Sequence, residues 1–155
     1  MRPALSFLYL LALSVWLGTV IFHSFVVAPI LFRSLPQTVA GDVVARIFPI
    51  YYMVGYGCGV VSVVVPWFLA SGTDALRAWR GASGVAAVML VLTIAAGTVI
   101  HPRAAALRRE MASLPDHAPQ RVEFRRLHGA AVAANLLVLS SGLVLLFMVS
   151  RQLRW

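Results

Sequence analysis

The chain has 155 residues, 61% of them hydrophobic and 12% charged, with a formal charge of +8. Soluble domains carry about 45–50% apolar and about 25% charged residues, so a soluble fold is excluded by the apolar surface it would have to hide. All thirteen cations are arginine and gather at the ends of apolar runs, where they read as anchors reaching for lipid headgroups rather than as nucleic-acid contacts.

A helix needs about 20 apolar residues to cross a bilayer core. Four segments qualify, residues 4–32, 47–70, 81–100 and 127–149; barrel strands would be shorter and would alternate. The expected fold is therefore all-α, a single transmembrane domain over residues 1–155 built as a four-helix bundle. Residues 4–32 contain no Arg, Lys, Asp or Glu and run to about twice the length of a signal-peptide core, so they read as a retained first span. Within them Trp16, Thr19 and His23 form a stripe, and Pro29 predicts a kink near the end.

The connection at residues 33–46 (RSLPQTVAGDVVAR) holds Pro36, Gly41 and an amphipathic middle, which predicts a short interfacial helix between spans 1 and 2. The second run carries Pro49 and Pro66 and the sequence GYGCG, in which Gly55 and Gly59 have the GxxxG spacing that lets helix backbones approach closely. That spacing serves packing within one chain and self-association equally well. Cys58, the single cysteine, lies in the same run, so no intrachain disulfide can form. Residues 71–80 read as a tight polar turn around Gly72 and Asp74. Residues 101–126 are the longest polar part, with PRAAALRREMASL helical, PDHAP as a turn and QRVEFRRLHG leading into the fourth run. The third and fourth spans should thus extend beyond the membrane as a charged helical hairpin. In the fourth run His128, Asn135 and Gly142 recur every seven residues and share one face, expected to look into the bundle.

With four spans both termini lie on one side, together with Arg77 and Arg80. The five arginines of that side, Arg2, Arg77, Arg80, Arg151 and Arg154, sit in short segments, which the positive-inside rule weights most. The termini are accordingly expected in the cytoplasm.

Polar residues inside spans are candidates for function because lipid cannot solvate them. His23, His101 and His128 fall on the same side of the membrane, and Arg33, Arg103, Tyr51 and Tyr52 share that side. The expectation is a ligand-binding pocket formed by His23, His101, His128 and Asn135, with Arg33, Arg103, Tyr51 and Tyr52 around it. Its use would be the binding or transport of a small solute. The same three histidines are also the candidate metal ligands of an alternative, a haem- or copper-binding redox or metal-handling protein; no close-spaced ligand motif accompanies them, so no cofactor is predicted. In a third reading, of a structural or assembly subunit, the polar residues only bond helices together. No carboxylate lies in an apolar run and no nucleophile has a base at motif spacing, so no catalytic residue is assigned and the reading leans away from an enzyme. The expected partners are the lipid bilayer and a homo-oligomer or other membrane partner.

The stretch FHSFVVAPILFRSLPQTVAGDVVARIFPIYY at residues 22–52 resembles the transmembrane protein 205-like family, whose bacterial members are catalogued as domain of unknown function 4149. Matching positions are Pro29, Phe32, Leu35, Pro36, Ala40, Gly41, Phe48, Pro49, Tyr51 and Tyr52. A second block, FRRLHGAAVAANLLVL at 124–139, matches at His128, Gly129 and Asn135. The resemblance implies a four-helix membrane protein and supplies no established reaction, ligand or catalytic residue; the expected location is a bacterial inner membrane. A looser likeness in layout to the copper-resistance membrane protein D group supports only the metal reading.

Overall fold

The computed structural model describes residues 2–70, 76–111, 115 and 118–151. The expected turn at Gly72 and Asp74, and Asp116 and His117 of the PDHAP turn, lie outside the described residues. Four helices, α1 (Pro3–Ser34), α2 (Gln37–Ala70), α3 (Leu76–Glu110) and α4 (Pro119–Ser150), are each long and apolar enough to cross a membrane. No strand occurs among the described residues. Each helix packs on the next in sequence, and α1 closes the ring against α4. Phe7, Ile50, Met53 and Phe147 are each more than 60% exposed, a surface that suits hydrocarbon and not water. The protein is a multi-pass membrane protein with an all-α bundle fold.

One expected element is not separate. Residues 37–46 are helical, but they form the first turns of α2, and only Leu35 and Pro36 interrupt the path from α1. Leu35 is extended (φ −126°, ψ 153°), as the residue before a proline prefers. Pro36 then leads into α2 with its carbonyl accepting the Ala40 N–H at 2.9 Å, so the chain reverses at once and needs no interfacial helix. The expected hairpin is present: α3 continues through the Arg-rich residues to Glu110, and α4 begins at Pro119 and packs against it.

The prolines act unevenly. Pro49 and Pro66 sit inside an unbroken α2. By contrast, α1 widens into a π-helical turn at His23–Val27, and α3 does the same at Ala96–Ile100. The Ala28 N–H reaches back to the His23 carbonyl and the His101 N–H to the Ala96 carbonyl. Each turn ends one residue short of its helical proline, Pro29 or Pro102. A proline removes one helical donor and crowds the carbonyl four residues back, and a wider turn relieves that crowding.

Without a hydrophobic drive between helices in lipid, the bundle depends on close contact. Trp16 of α1, 1% exposed, lies in a bay made by Gly55 and Gly59 of α2. A methyl built at Gly59 would lie 2.7 Å from Leu90 Cδ1 and 3.0 Å from the Trp16 ring; one at Gly55 would lie 2.9 Å from Thr93 Cγ2. The GxxxG spacing thus serves packing inside the chain. Gly142 on α4 likewise admits Leu17, and a methyl there would overlap it. Ser83 of α3 donates to the Val63 carbonyl at 2.7 Å, joining α3 to α2 one turn from Pro66. Thr19, Thr93 and Thr98 donate to carbonyls one turn back on their own helices, at 2.7–2.8 Å.

Arg80 lies 5.9 Å from the Trp67 ring and Arg151 6.0 Å from the Phe147 ring. Such cation–aromatic pairs suit a headgroup boundary. From these to Arg46, Arg103 and Arg126 near the other end, each helix rises roughly 30–40 Å at 1.5 Å per residue, the thickness of a bilayer.

Gly59→Val is expected to lower stability by about 1–3 kcal/mol through overpacking against Trp16 and Leu90. Gly84→Ala, where a methyl meets open space, should leave it unchanged or raise it. Reversible unfolding in mild detergent measures both.

Candidate functional site

At the end of the bundle opposite the termini, α2 presents one turn of aromatic residues to its neighbours. Phe48 is its centre. The His23 ring of α1 lies 5.2 Å from the Phe48 ring and 5.1 Å from Tyr51. The His101 ring of α3 lies 5.0 Å from Phe48, nearly perpendicular to it, and 5.9 Å from Tyr52. Tyr51 and Tyr52 meet edge to face at 5.2 Å, and Tyr56 stacks on Tyr52 at 6.3 Å. Such offset and edge-on arrangements are the favourable ones for aromatic rings.

The two π-helical turns build this layer. His23 opens one of them and His101 follows directly on the other. Gly97, inside the second, lets the Tyr52 ring and the Tyr56 hydroxyl press against the α3 backbone; a methyl on it would overlap both. π-Helical turns are enriched at functional sites because they re-aim side chains.

The fourth helix joins through one bond: the Tyr51 hydroxyl donates to Asn135 Oδ1 at 3.0 Å. Otherwise the layer's polar groups are unmatched within the protein. Among the described residues, neither imidazole, nor the hydroxyls of Tyr52 and Tyr56, nor the Asn135 amide NH2 has a hydrogen-bond partner. His23, Tyr51 and Tyr52 are each 6% exposed, whereas His101, Phe48 and Asn135 are half-buried. None of these unmatched atoms is itself enclosed: among the described residues the buried side-chain atoms without a partner are the Tyr9 and Ser62 hydroxyls, so the layer's free donors and acceptors stay open to a molecule from outside, and hydrocarbon offers them no hydrogen bond.

The structure therefore brings together His23, Tyr51, Tyr52, His101 and Asn135, and it does not bring in the rest of the expected set. His128 is exposed two turns outward from Asn135 and stacks on Phe124 at 6.2 Å. Of the three positions expected to share an inward face, Gly142 is buried, Asn135 half-buried and His128 outside. Arg33 and Arg103 are exposed. Pro29 follows the α1 π-helical turn, Pro36 and Gly41 shape the entry to α2, and Pro49 is exposed beside the layer. Phe48 stands against both imidazoles, and among the described residues no group of three or more His, Cys, Asp or Glu is placed to hold a metal ion.

Outside the layer, Arg108 of α3 pairs with Asp42 of α2 and lies across Gly41, where a methyl would overlap its guanidinium. Ala40 beside it is fully buried. Arg121 of α4 donates to the carbonyls of Pro115 (3.2 Å) and Met111 (3.4 Å), tying the start of α4 to the end of α3.

Tyr51→Phe is expected to cost about 0.6–1.7 kcal/mol, the range for a hydrogen bond between membrane helices. Asn135→Leu added to it should cost clearly less than it does in the wild-type background. A double-mutant cycle by unfolding in detergent reads the coupling.

Three comparisons bear on kinship. A family model described as Domain of unknown function (DUF4149) matches residues 11–113, which include every residue of the layer except Asn135. An uncharacterized protein of Aquifex aeolicus (strain VF5) is 31% identical over 146 residues, covering 93% of this chain and 97% of the relative. No solved structure matches. With two thirds of its length matched by the family model and a relative aligned almost end to end, the chain belongs to the DUF4149 family.

Proposed function

We propose that this protein is a non-catalytic, membrane-embedded binding protein that takes a small, flat, polar molecule at the His23–Tyr51–Tyr52–His101 layer, either to retain it or as the first step of passage. One observation carries the reading: donors and acceptors without protein partners sit on a platform of aromatic rings, whose Phe48 and His101 lie within one turn of Arg46 and Arg103 at that end of the bundle. Aromatic faces give such a molecule area, and the imidazoles, the Tyr52 and Tyr56 hydroxyls and the Asn135 amide give it hydrogen bonds. Among the described residues no carboxylate or activated nucleophile contacts the layer, so binding rather than turnover is what these groups support. The haem or copper reading and the purely structural one gain no comparable observation.

The wider kinship, to the transmembrane protein 205-like group, is part of the same proposal, supported by the APILF, LP, AG and FPIYY residues of the first block. A bacterial inner membrane is supported by the Aquifex aeolicus relative. Cytoplasmic termini are supported by the arginines in the short segments on that side.

The test is mass spectrometry of small molecules retained through purification in lipid nanodiscs. The wild type is expected to carry one compound in near-stoichiometric amount, and Tyr52→Phe and His101→Leu, each shown to be folded by its unfolding transition, to lose most of it. Equal amounts in wild type and variants, or none in any, would sink the proposal.

A further inference from the structure

The face of α2 turned away from the aromatic layer carries a shallow depression lined by Val39, Asp42, Val43, Arg46, Ile47 and Ile50. At 100° per residue these positions lie on one side of the helix, roughly opposite Phe48, Tyr52 and Gly55. Ile50 is 68% exposed and Val39 44%, so the floor is apolar and faces lipid. Asp42 and Arg46 stand four residues apart, the spacing at which an acid and a base on a helix normally pair. Here they do not: Asp42 is held by Arg108 from α3, and among the described residues Arg46 has no partner. Helical side chains lean toward the N-terminus, so Arg46 extends outward over the Asp42–Val43 turn, toward the headgroups, with Ile47 and Ile50 below it in the hydrocarbon.

We propose that this face is a binding site for an anionic phospholipid, with the Arg46 guanidinium on the phosphate and one acyl chain over Ile47 and Ile50. The occupant follows from charge and level. A guanidinium forks onto a phosphate with two hydrogen bonds, the apolar floor continues inward from it, and the single acid in the depression is already neutralised by Arg108. The Arg108–Asp42 pair therefore has a second consequence beyond joining α3 to α2: it keeps Arg46 available to lipid. The site is independent of the binding layer on the other face of α2.

Native mass spectrometry of the detergent-solubilised protein, titrated with phosphatidylglycerol and with phosphatidylcholine of the same acyl chains, tests it. The wild type is expected to prefer phosphatidylglycerol by about fivefold, the scale of one arginine near an anionic headgroup. Arg46→Gln should abolish that preference while leaving phosphatidylcholine binding intact. Arg108→Gln should reduce it, because Asp42 is then free to capture Arg46. Asp42→Asn should keep or raise it, and Arg109→Gln, an exposed arginine outside the depression, should leave it unchanged. An undiminished preference in Arg46→Gln, or an equal loss in Arg109→Gln, would overturn the proposal; the latter would show only a diffuse basic surface.

Discussion

The contact on which the rest of the bundle depends is the Trp16 indole seated between Gly55 and Gly59. It fixes how closely α1 approaches α2, and through Thr93 and Leu90 it fixes the height of α3 as well. From that level His23 lies two turns along α1, Tyr51 and Tyr52 about one turn back along α2, and His101 about two turns along α3. Because these helices alternate in direction, all three steps lead to the same end of the bundle. The aromatic layer is thus a consequence of register: a helix slipped by one turn at Trp16 would separate the imidazoles from Phe48. In lipid such register has to come from shape, since hydrocarbon does not favour one helix contact over another by water exclusion.

Hydrocarbon also supplies no hydrogen bonds, and the two halves of the bundle meet that constraint differently. Around the middle, Thr19, Thr93 and Thr98 return their hydroxyls to their own helices and Ser83 bonds the Val63 carbonyl. Toward the termini, the Tyr9 and Ser62 hydroxyls are buried without a partner, with Tyr9 edge-on to Trp79 at 6.0 Å. At the opposite end several unpartnered groups stand together on stacked rings beside two π-helical turns. Concentration, rather than the mere presence of polar atoms, distinguishes that end as a site.

Much of this was legible in the sequence. Four apolar runs of bilayer length and the placement of arginine imply the bundle. The opposed directions of successive spans imply that His23 and His101 share a level, and the sevenfold spacing in α4 points to Asn135. Other parts were not legible, for identifiable reasons. His128 has the spacing of an inward residue, but it lies beyond the point where α4 is enclosed by its neighbours, and periodicity says nothing of where a neighbour ends. The interfacial helix was inferred from amphipathic composition, and composition alone does not separate a free helix from the first turns of a longer one. Phe48 stood out only through family resemblance, since one phenylalanine in an apolar run has no signature of its own. The π-helical turns had a signal that went unread: HSFVVAP and AGTVIHP place a proline six residues after the start of each turn. The Asp42–Arg108 pair joins positions 66 residues apart, a distance no local pattern reaches.

The most direct test of the central claim, that the His23–Tyr51–Tyr52–His101 layer receives a small molecule, is an experimental structure of the protein in a lipid nanodisc. The account predicts non-protein density within hydrogen-bond reach of an imidazole and of the Tyr52 or Tyr56 hydroxyl. A layer whose polar groups all bond one another or the lipid headgroups, with no such density, would contradict it.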